Sequence, residues 1–353
     1  MSVKPKLSHS HVSELVGRLY GMSTSQIHPL PSYYDQNFYV LVNDGRAYVM
    51  KIMNSLDSQN LTLLELQTHA MAFLHQRGIP AQTALPTLTG QMMSLEDIDC
   101  GSGCQKYLVR LLTYLPGTTI AKVPCSPQIL YQAGKMAATM DKALLEMEHP
   151  NLWALQREDF IWNPRNLPLL EPYLHVMDGD PVQQVVKEVI ETFKRQVLPN
   201  LGSFRKCIIH GDFSDLNVLI EPSGPAGYKI SGILDFGHMS NGYYVFELAI
   251  TIMYMMIESH DPIQVGGPVL AGWESVIPLN EAERNALYLL VLGRFCQSLV
   301  MGRYNATLQP ENKEYLMTTA KNGSRHLMHL WELGKEEVEM RWIQGARMFS
   351  DMR

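Results

Sequence analysis

The sequence predicts an α+β protein with two lobes, a small sheet-rich lobe over residues 1–112 and a larger helical lobe over residues 113–353. Three observations support this prediction. At 353 residues the chain is long for a single domain. Its N-terminal third contains short runs in which apolar and polar residues alternate, as they do in strands. The remainder repeats its apolar residues mainly at helical spacing.

The N-terminal lobe begins with a short helix predicted within residues 11–30, followed by a turn that ends at Pro29. A β-hairpin is predicted next, with Phe38–Val42 and Ala47–Ile52 as its strands. The dipeptide Asp44-Gly45 lies between them and supplies the positive φ values that a tight hairpin turn needs.

One helix and two strands complete the first lobe. Apolar residues recur at helical spacing from Leu63 to Leu74, and Gly78-Ile79-Pro80 ends this helix. The two strands are predicted near Gln91–Leu95 and at Tyr107–Leu112.

Helices dominate the second lobe, where five are predicted: Pro127–Glu146, Pro181–Leu198, Val245–Ser259, Glu281–Arg303 and Lys313–Arg341. Two short apolar strands interrupt them, Val218–Ile220 and Ile230–Leu234. The run Pro222-Ser223-Gly224-Pro225 is predicted to join these strands as a turn.

Composition and charge exclude several classes of protein. Apolar residues make up 46% of the chain and charged residues 18%, as in a folded globular protein. The formal net charge of −6 gives no positive field for nucleic acid or an anionic membrane, so we expect neither as a partner. Tyr243–Ile257 is strongly apolar but contains Glu247 and is shorter than the roughly 20 residues of a membrane span, so we expect a buried helix.

The cysteines and the N-terminal segment indicate the compartment. The first residues lack the apolar core of a secretion signal, and five cysteines are an odd number. Cys100 and Cys104 lie close together, but no second Cys or His pair follows at finger spacing, which argues against a zinc site. We expect a reduced, cytoplasmic protein, and a monomer.

The stretch Ile208–Ile220, IIHGDFSDLNVLI, places polar residues between two apolar runs. Asp212 and Asn217 have the spacing H-x-D-x-x-x-x-N, and Asp235 begins a D-F-G run across the predicted hairpin. Phosphoryl transfer needs a carboxylate that accepts the hydroxyl proton, and an amide oxygen and a second carboxylate that hold Mg²⁺. We therefore predict Asp212 as the catalytic base, and Asn217 and Asp235 as the metal ligands. The chain has no P-loop, no His-Glu-x-x-His and no Gly-x-Ser-x-Gly.

These motifs, with Gly242–Ala249 (GYYVFELA), resemble the aminoglycoside phosphotransferase and choline kinase superfamily. The resemblance implies the two-lobed fold of protein kinases. Three further segments, Pro31–Phe38, Val109–Gly117 and Ile252–Ser259, are similar to the branch whose members phosphorylate the side-chain hydroxyl of 5-hydroxy-L-lysine. The resemblance implies GTP (or ATP) as the phosphate donor, Mg²⁺ as the metal and a small amino acid as the acceptor.

The resemblance also implies a nucleotide site in the first lobe. Lys51 ends a predicted strand at the position where a kinase lysine reaches the phosphates. Its usual partner is a glutamate on the next helix. Glu65 is the carboxylate on that helix, but counting back from Gly78 also allows Gln67.

The loop Ser32–Phe38, predicted to cover the phosphates, contains no glycine, so its backbone cannot approach phosphate as a glycine-rich loop does. Side chains of Ser32, Tyr33 or Asn37 are expected to contribute instead. Leu112 and Tyr114 belong to the predicted connection between the lobes, whose backbone would read the purine edge. Nothing in these residues distinguishes guanine from adenine.

The sequence indicates the residues that contact the acceptor less clearly than those that contact the nucleotide and the metal. An amino-acid substrate needs carboxylates near its ammonium groups. Asp159, Trp162 and Glu247 are candidates, and Asp215 either binds substrate or caps a turn. His238 follows D-F-G where many members of the superfamily carry an acid, and its role stays open. His210 is expected to support the loop.

Two alternatives remain at this level. The first is a related kinase that acts on choline, ethanolamine, homoserine or an aminoglycoside. The second is a catalytically inactive kinase fold that serves as a binding protein. An inactive kinase fold would be expected to lack Lys51, Asp212, Asn217 or Asp235, and all four are present.

Overall fold

The computed structural model of the protein describes residues 4–101, 103–224 and 227–351, with the side chains of residues 350 and 351 left out. The chain divides into two compact units. The first contains Met1–Leu115 and His149–Ala154, and the second contains Pro116–Glu148 and Leu155–Arg353. The first is rich in sheet and the larger second unit is mainly helical, which confirms the predicted α+β class.

Two helices and five strands form the first unit: α1 (His9–Tyr20), β1 (Thr24–Leu30), β2 (Gln36–Val42), β3 (Ala47–Ile52), α2 (Leu61–Gln76), β4 (Ser94–Asp99) and β5 (Cys104–Thr113). The strands form one antiparallel sheet in the order β1-β2-β3-β5-β4. The predicted hairpin is confirmed, because β2 and β3 pair around a turn in which Gly45 has φ 87°. Asn37 lies directly opposite Lys51 in this pairing.

Helices cover both faces of the sheet. Val12, Leu15 and Val16 of α1 pack on the face formed by alternate residues of the three central strands, such as Val40 and Met50. On the other face, Leu64 of α2 packs against Leu108. Burial of both faces explains why residues 107–112 of β5 are buried without the alternation of a half-buried strand.

The structure corrects two expectations in this unit. Residues 24–30 form strand β1, where the sequence predicted a turn after the helix. This strand is at the sheet edge, exposes most of its residues and carries Pro29, so it lacks the strong alternation of an inner strand. The strand predicted near Gln91–Leu95 lies later, at Ser94–Asp99, because it pairs with β5 through the turn that follows it.

The second unit contains eight helices and five short strands: β6 (Thr118–Thr119), α3 (Pro127–Leu144), α4 (Val182–Gln196), β7 (Lys206–Ile209), β8 (Val218–Pro222), β9 (Tyr228–Ile233), β10 (Ser240–Tyr243), α5 (Tyr244–Met256), α6 (Pro262–Glu274), α7 (Glu281–Leu308), α8 (Lys313–Leu316), α9 (Ala320–Leu333) and α10 (Lys335–Asp351), counted over its described residues. A 3₁₀ segment, Pro164–Met177, packs on α7. The hairpin of β8 and β9 is confirmed, with β6 on its outer side. Strand β7 pairs separately with β10. The predicted turn between β8 and β9 includes Pro225, which lies outside the described residues.

Helix α6 was missed by the sequence reading, and the helix predicted over Lys313–Arg341 is three helices. Helix α6 contains two consecutive glycines and an internal Pro268, which normally argue against a helix. The glycines are explained by close packing, because Gly267 lies against Gly345 of α10. Gly334, with φ 78°, ends α9 and separates it from α10.

Helix α7 is the longest of the described helices and lies in the core of the second unit. By length and composition it is apolar enough to cross a membrane, but 94% of its apolar window is buried inside the protein. Helix α5 is shorter, and all thirteen of its residues are buried. Both helices are therefore core helices of this fold, as predicted for the segment that contains Glu247.

The contact between α3 and α6 generates a stability prediction. A Cβ atom at Gly272 would lie 2.0 Å from the carbonyl oxygen of Tyr131, so alanine cannot be accommodated without separating the helices. Gly272→Ala is expected to lower the free energy of unfolding by roughly 1–3 kcal/mol or more. Gly202→Ala is the matched control, because a Cβ at Gly202 meets no atom within 4 Å. Urea denaturation measures both, and an equal effect of the two variants would contradict the predicted packing.

Candidate active site

The loop between β7 and β8, residues 210–217, carries the polar residues of the H-x-D-x-x-x-x-N motif. Its second end is tied to the β8–β9 hairpin, because the backbone N–H of Leu234 donates to the carbonyl oxygen of Asn217 at 2.8 Å. Asp235 follows Leu234 directly. The hairpin therefore brings Asn217 and Asp235 to the same end of two paired strands, as the sequence predicted.

Asn217 is oriented by Asp212. Its Nδ2 donates to the Asp212 carboxylate oxygen Oδ2 at 2.7 Å and to the Asp212 carbonyl oxygen at 3.1 Å. Since the amide nitrogen faces Asp212, the amide oxygen points to the other side. This orientation leaves a hard oxygen ligand on the side of Asn217 away from Asp212.

Arg294 is a site residue that the sequence reading missed. It lies in the middle of α7, is 1% exposed, and donates to the Asp212 carboxylate oxygen Oδ1 at 3.2 Å. The same guanidinium donates to the carbonyl oxygens of Gly211 at 3.0 Å and Trp162 at 2.8 Å. The available signal was a single arginine inside the apolar run from Leu287 to Val300, since a buried charge requires a partner.

Opposing effects determine the protonation of Asp212. Burial raises the pKa of its carboxyl to about 6, the charge of Arg294 lowers it, and the nearby charge of Asp235 raises it again. The carboxyl is therefore ionised above about pH 6, and there it can accept a proton.

Asp235 has an unusual backbone conformation. Its φ of 55° makes it the one described non-glycine residue with a positive φ. Such a conformation costs about 1–3 kcal/mol and is kept where the surroundings require it. Its exposed carboxylate accepts a hydrogen bond from the backbone N–H of Gly237 at 3.2 Å, which orients the side chain.

His210 and Gly211 shape the start of the loop. His210 is fully buried and bonds the carbonyl oxygen of Leu234 through Nε2 at 2.9 Å, while its Nδ1 accepts from the N–H of Asp212 at 3.1 Å. Burial lowers the pKa of His210 to about 4, so the ring is neutral and supports the loop as expected. At Gly211 the φ is 80° and a Cβ would lie 2.6 Å from the carbonyl oxygen of His238, so only glycine fits.

Glu247 accepts a hydrogen bond from the loop of residues 210–217. It is fully buried on α5, and its Oε2 accepts the N–H of Gly211 at 3.0 Å. Burial raises the pKa of Glu247 to about 7. Burial and the charge of Glu247 also raise the pKa of Asp141, whose carboxylate accepts from the thiol of Cys207. Glu247, one of the three candidates for contact with the acceptor, has no exposed surface for a substrate and is excluded from that role.

Trp162 and His238 form an aromatic layer beside Arg294. Their rings stack with centroids 5.4 Å apart, and the Arg294 guanidinium carbon lies 5.1 Å from the Trp162 ring centroid. Burial lowers the pKa of His238 well below its ordinary value, so this ring is neutral. His238, whose role the sequence left open, packs against Trp162, whose carbonyl oxygen accepts from Arg294. Asp159 is exposed.

The first unit places the phosphate-site candidates on neighbouring strands. Lys51 is 5% exposed, and its Nζ lies 3.3 Å from the Asp35 carboxylate, a residue to which the sequence reading assigned no role. Glu65, the predicted partner of Lys51, is exposed on α2, and the alternative Gln67 is buried on the same helix. A role for either in holding Lys51 stays a prediction.

The other residues predicted to contact the nucleotide differ in exposure. Ser32 donates its hydroxyl to the carbonyl oxygen of Asp35, and the side-chain oxygen of Asn37 is buried without a hydrogen bond to any described residue. Leu112 is buried in β5. Tyr114 is exposed and packs edge-on against Tyr39.

The described residues contain no group of three His, Cys, Asp or Glu side chains arranged to hold a metal ion. The candidate donors at the end of the β8–β9 hairpin are one amide and one carboxylate, those of Asn217 and Asp235. Two hard oxygen donors from the protein suit Mg²⁺, which completes its coordination with phosphate and water. Each of the five cysteines is a free thiol.

Sequence and structure comparisons identify the class. A profile of the phosphotransferase enzyme family, APH, matches residues 26–284. The chain is 67% identical to hydroxylysine kinase of Danio rerio over 346 residues, which is 98% of each chain. Its fold is similar to that of an amicoumacin kinase in complex with AMP-PNP and Ca²⁺, with a TM-score of 0.66 and 15% identity over 91% of this chain and 94% of that one. It is also similar to the GDP complex of aminoglycoside 2'-phosphotransferase-IIIa, with a TM-score of 0.60 and 13% identity over 91% and 99%.

The chain therefore belongs to the phosphotransferase enzyme family and has its kinase-like fold. It is a phosphotransferase with an alcohol group as acceptor. The resemblance to hydroxylysine kinases that the sequence indicated is confirmed.

The buried carboxyl of Glu247 generates a prediction about pH. Its pKa is about 7 in the folded protein and near its ordinary value in the unfolded chain, so the folded state binds more protons between these values. Its contribution to stability is greatest at low pH and falls as the pH rises through about 7. Glu247→Gln keeps an acceptor for Gly211 and removes this titration. Relative to the wild type, the variant is expected to gain roughly 1–3 kcal/mol in free energy of unfolding between pH 5 and pH 8.

Urea denaturation at the two pH values measures this gain. Glu188→Gln is the control, because Glu188 is exposed on α4 and its substitution should change stability by less than about 0.5 kcal/mol at both pH values. A Glu247→Gln effect that does not depend on pH would contradict the raised pKa.

Proposed function

We propose that this chain transfers the terminal phosphate of GTP or ATP to the side-chain hydroxyl of 5-hydroxy-L-lysine. The observation that carries the proposal is the 67% identity with a hydroxylysine kinase over 98% of both chains. At this identity and coverage the chain has the same domains as that enzyme, so a change of acceptor would require local substitutions in the site. The geometry of the second unit supports the chemistry independently of the acceptor.

In this proposal Asp212 is the catalytic base. Its carboxylate orients the acceptor hydroxyl and takes its proton as the oxygen attacks the phosphorus atom. Arg294 favours the ionised form of Asp212 and fixes one of its oxygens, while Asn217 fixes the other. Two donors on one carboxylate restrict its rotation, so the base is positioned before the substrate binds.

Asn217 and Asp235 are the residues that would hold Mg²⁺, and Lys51 would neutralise the phosphates. A bound divalent ion supplies positive charge to the phosphate oxygens during transfer. The fold relatives were captured with AMP-PNP or with GDP, so the fold itself favours neither base. GTP is proposed as the donor because of the resemblance to hydroxylysine kinases, and ATP is the alternative.

Asp215 is the proposed contact for an ammonium group of the substrate. It is 6% exposed, and among the described residues no basic side chain pairs with its carboxylate. Burial and the charge of Glu258 raise the pKa of Asp215 to about 7. A substrate cation would supply the missing positive charge and favour the ionised carboxylate. In 5-hydroxylysine the ε-ammonium is on the carbon next to the hydroxyl-bearing carbon, and Asp215 is three residues from Asp212.

The test of the function is a turnover assay with Mg²⁺ that measures release of GDP or ADP. We expect turnover with 5-hydroxy-L-lysine, and Asp212→Asn is expected to lower kcat by roughly 10²–10⁴ because the base is lost. Asp178→Asn, an exposed aspartate of the same unit, is the matched control and should keep wild-type activity.

The same assay includes choline, ethanolamine, homoserine and an aminoglycoside. Turnover with one of these and none with 5-hydroxylysine would replace the proposed acceptor. No Mg²⁺-dependent transfer to any of them would favour a binding protein. An Asp212→Asn variant with unchanged kcat would contradict the assignment of the base.

A second prediction concerns Asp215. Asp215→Asn keeps the size of the side chain and removes its charge, so the KM for 5-hydroxylysine is expected to rise roughly 10- to 100-fold. The KM for the nucleotide should stay within about twofold, because the proposed contact is with the acceptor alone. Steady-state kinetics measures both constants, and a rise confined to the nucleotide KM would refute the contact.

A further inference from the structure

The two carboxylate oxygens of Asp35 have different partners. Oδ1 accepts two hydrogen bonds from Asn54, from the backbone N–H at 2.9 Å and from Nδ2 at 3.0 Å. Oδ2 lies 3.3 Å from the ammonium nitrogen of Lys51. One oxygen is therefore anchored to the chain, and the other is directed at the lysine of the proposed phosphate site.

Asn54 is itself held firmly. Its Nδ2 donates to the Asp57 carboxylate at 2.6 Å, and its Oδ1 accepts the backbone N–H groups of Leu56 and Asp57 at 3.1 Å and 3.0 Å. Asn54 is 2% exposed. Asp35 is thus bonded to a rigid turn that follows β3, the strand that carries Lys51.

The ion pair of Asp35 and Lys51 is shielded from water, since the two side chains are 13% and 6% exposed. A pair of this kind is maintained only when the remaining polar atoms are also bonded, and the two bonds from Asn54 meet that condition for Asp35. An exposed pair would contribute little to the position of the lysine.

Asp35 also belongs to the glycine-free loop before β2. The hydroxyl of Ser32 donates to the backbone oxygen of Asp35, and Asn37 lies opposite Lys51 in the strand pairing. The loop, the turn after β3 and the lysine are thus joined through one side chain. This arrangement differs from that of protein kinases, in which a glutamate of the helix holds the lysine. Here the helix residue Glu65 is exposed.

We propose that Asp35 is a positioning residue that holds the Lys51 ammonium for the phosphates of the nucleotide and joins it to the loop that covers them. This inference rests on the proposed phosphate role of Lys51. An ammonium group has three N–H donors, so one can remain on Asp35 while others bond phosphate oxygens. Because Asp35 is anchored from its far side by Asn54, it does not follow the lysine when the nucleotide binds.

Asp35→Asn is a selective test, because asparagine keeps an acceptor oxygen for Asn54 and replaces only the oxygen that faces Lys51. We expect kcat/KM for the nucleotide to fall roughly 10- to 100-fold, since the charge-assisted contact with Lys51 is lost. The KM for the acceptor should stay within about twofold. Asp44→Asn, in the exposed β2–β3 turn, is the matched control with wild-type kinetics.

A double-mutant cycle separates positioning from a structural role. In a Lys51→Met background Asp35→Asn should cause no further fall, because the group that Asp35 positions is absent. Asp35→Glu keeps the charge and should recover part of the activity. This variant also tests the role of Asp35 if Asp35→Asn does not fold. A fall from Asp35→Asn that is equally large without Lys51, or smaller than the fall from Glu65→Gln, would overturn the inference.

Binding measurements distinguish failure of this inference from failure of the proposed function. Calorimetric titration with GDP and with AMP-PNP, each with Mg²⁺, needs no acceptor. If the wild type binds neither nucleotide, the proposed function fails and this inference fails with it. If the wild type binds a nucleotide and Asp35→Asn has unchanged affinity and kcat/KM, only the role of Asp35 is refuted.

Discussion

The second unit is organised around one buried charge, the guanidinium of Arg294. An arginine in the middle of an apolar core helix is stable only when its donors are bonded. Here the two terminal nitrogens are bonded, Nη1 to the carbonyl oxygen of Trp162 and Nη2 to the carbonyl oxygen of Gly211 and the Asp212 carboxylate. The same bonds fix the backbone and the carboxylate of the loop that carries Asp212. The stability of the core and the geometry of the site therefore depend on the same interaction.

Hydrogen bonds join this loop to three elements of the second unit. Arg294 comes from α7, Glu247 comes from α5, and His210 bonds the backbone at the end of β9. Gly211 bonds two of these elements, because its N–H donates to Glu247 and its carbonyl oxygen accepts from Arg294, and it has no room for a side chain. A loop with this many fixed points loses little entropy when substrates bind, which is the physical advantage of a rigid site in phosphoryl transfer.

The first unit contains a comparable interaction between a buried cation and a carboxylate. Lys51 is a buried cation on a strand, and the carboxylate of Asp35 is one of its neighbours. In both units a residue proposed to act on the substrates is oriented by an oppositely charged side chain that is itself anchored elsewhere. Interactions of this kind matter more inside a protein than at its surface, because low dielectric strengthens them and water does not compete.

The sequence alone determined the α+β class, the β2–β3 hairpin with its Asp44-Gly45 turn, and the loop that carries Asp212 and Asn217, because these depend on neighbouring residues and regular spacing. It did not reveal the edge strand β1, the glycine-containing helix α6, or the partners Arg294 and Asp35. Arg294 is 82 positions from Asp212 and Asp35 is sixteen from Lys51, and pairs at such distances leave no periodic signal. Only the tertiary structure decided which charges meet, because strand pairing and helix packing bring together residues that the chain keeps apart.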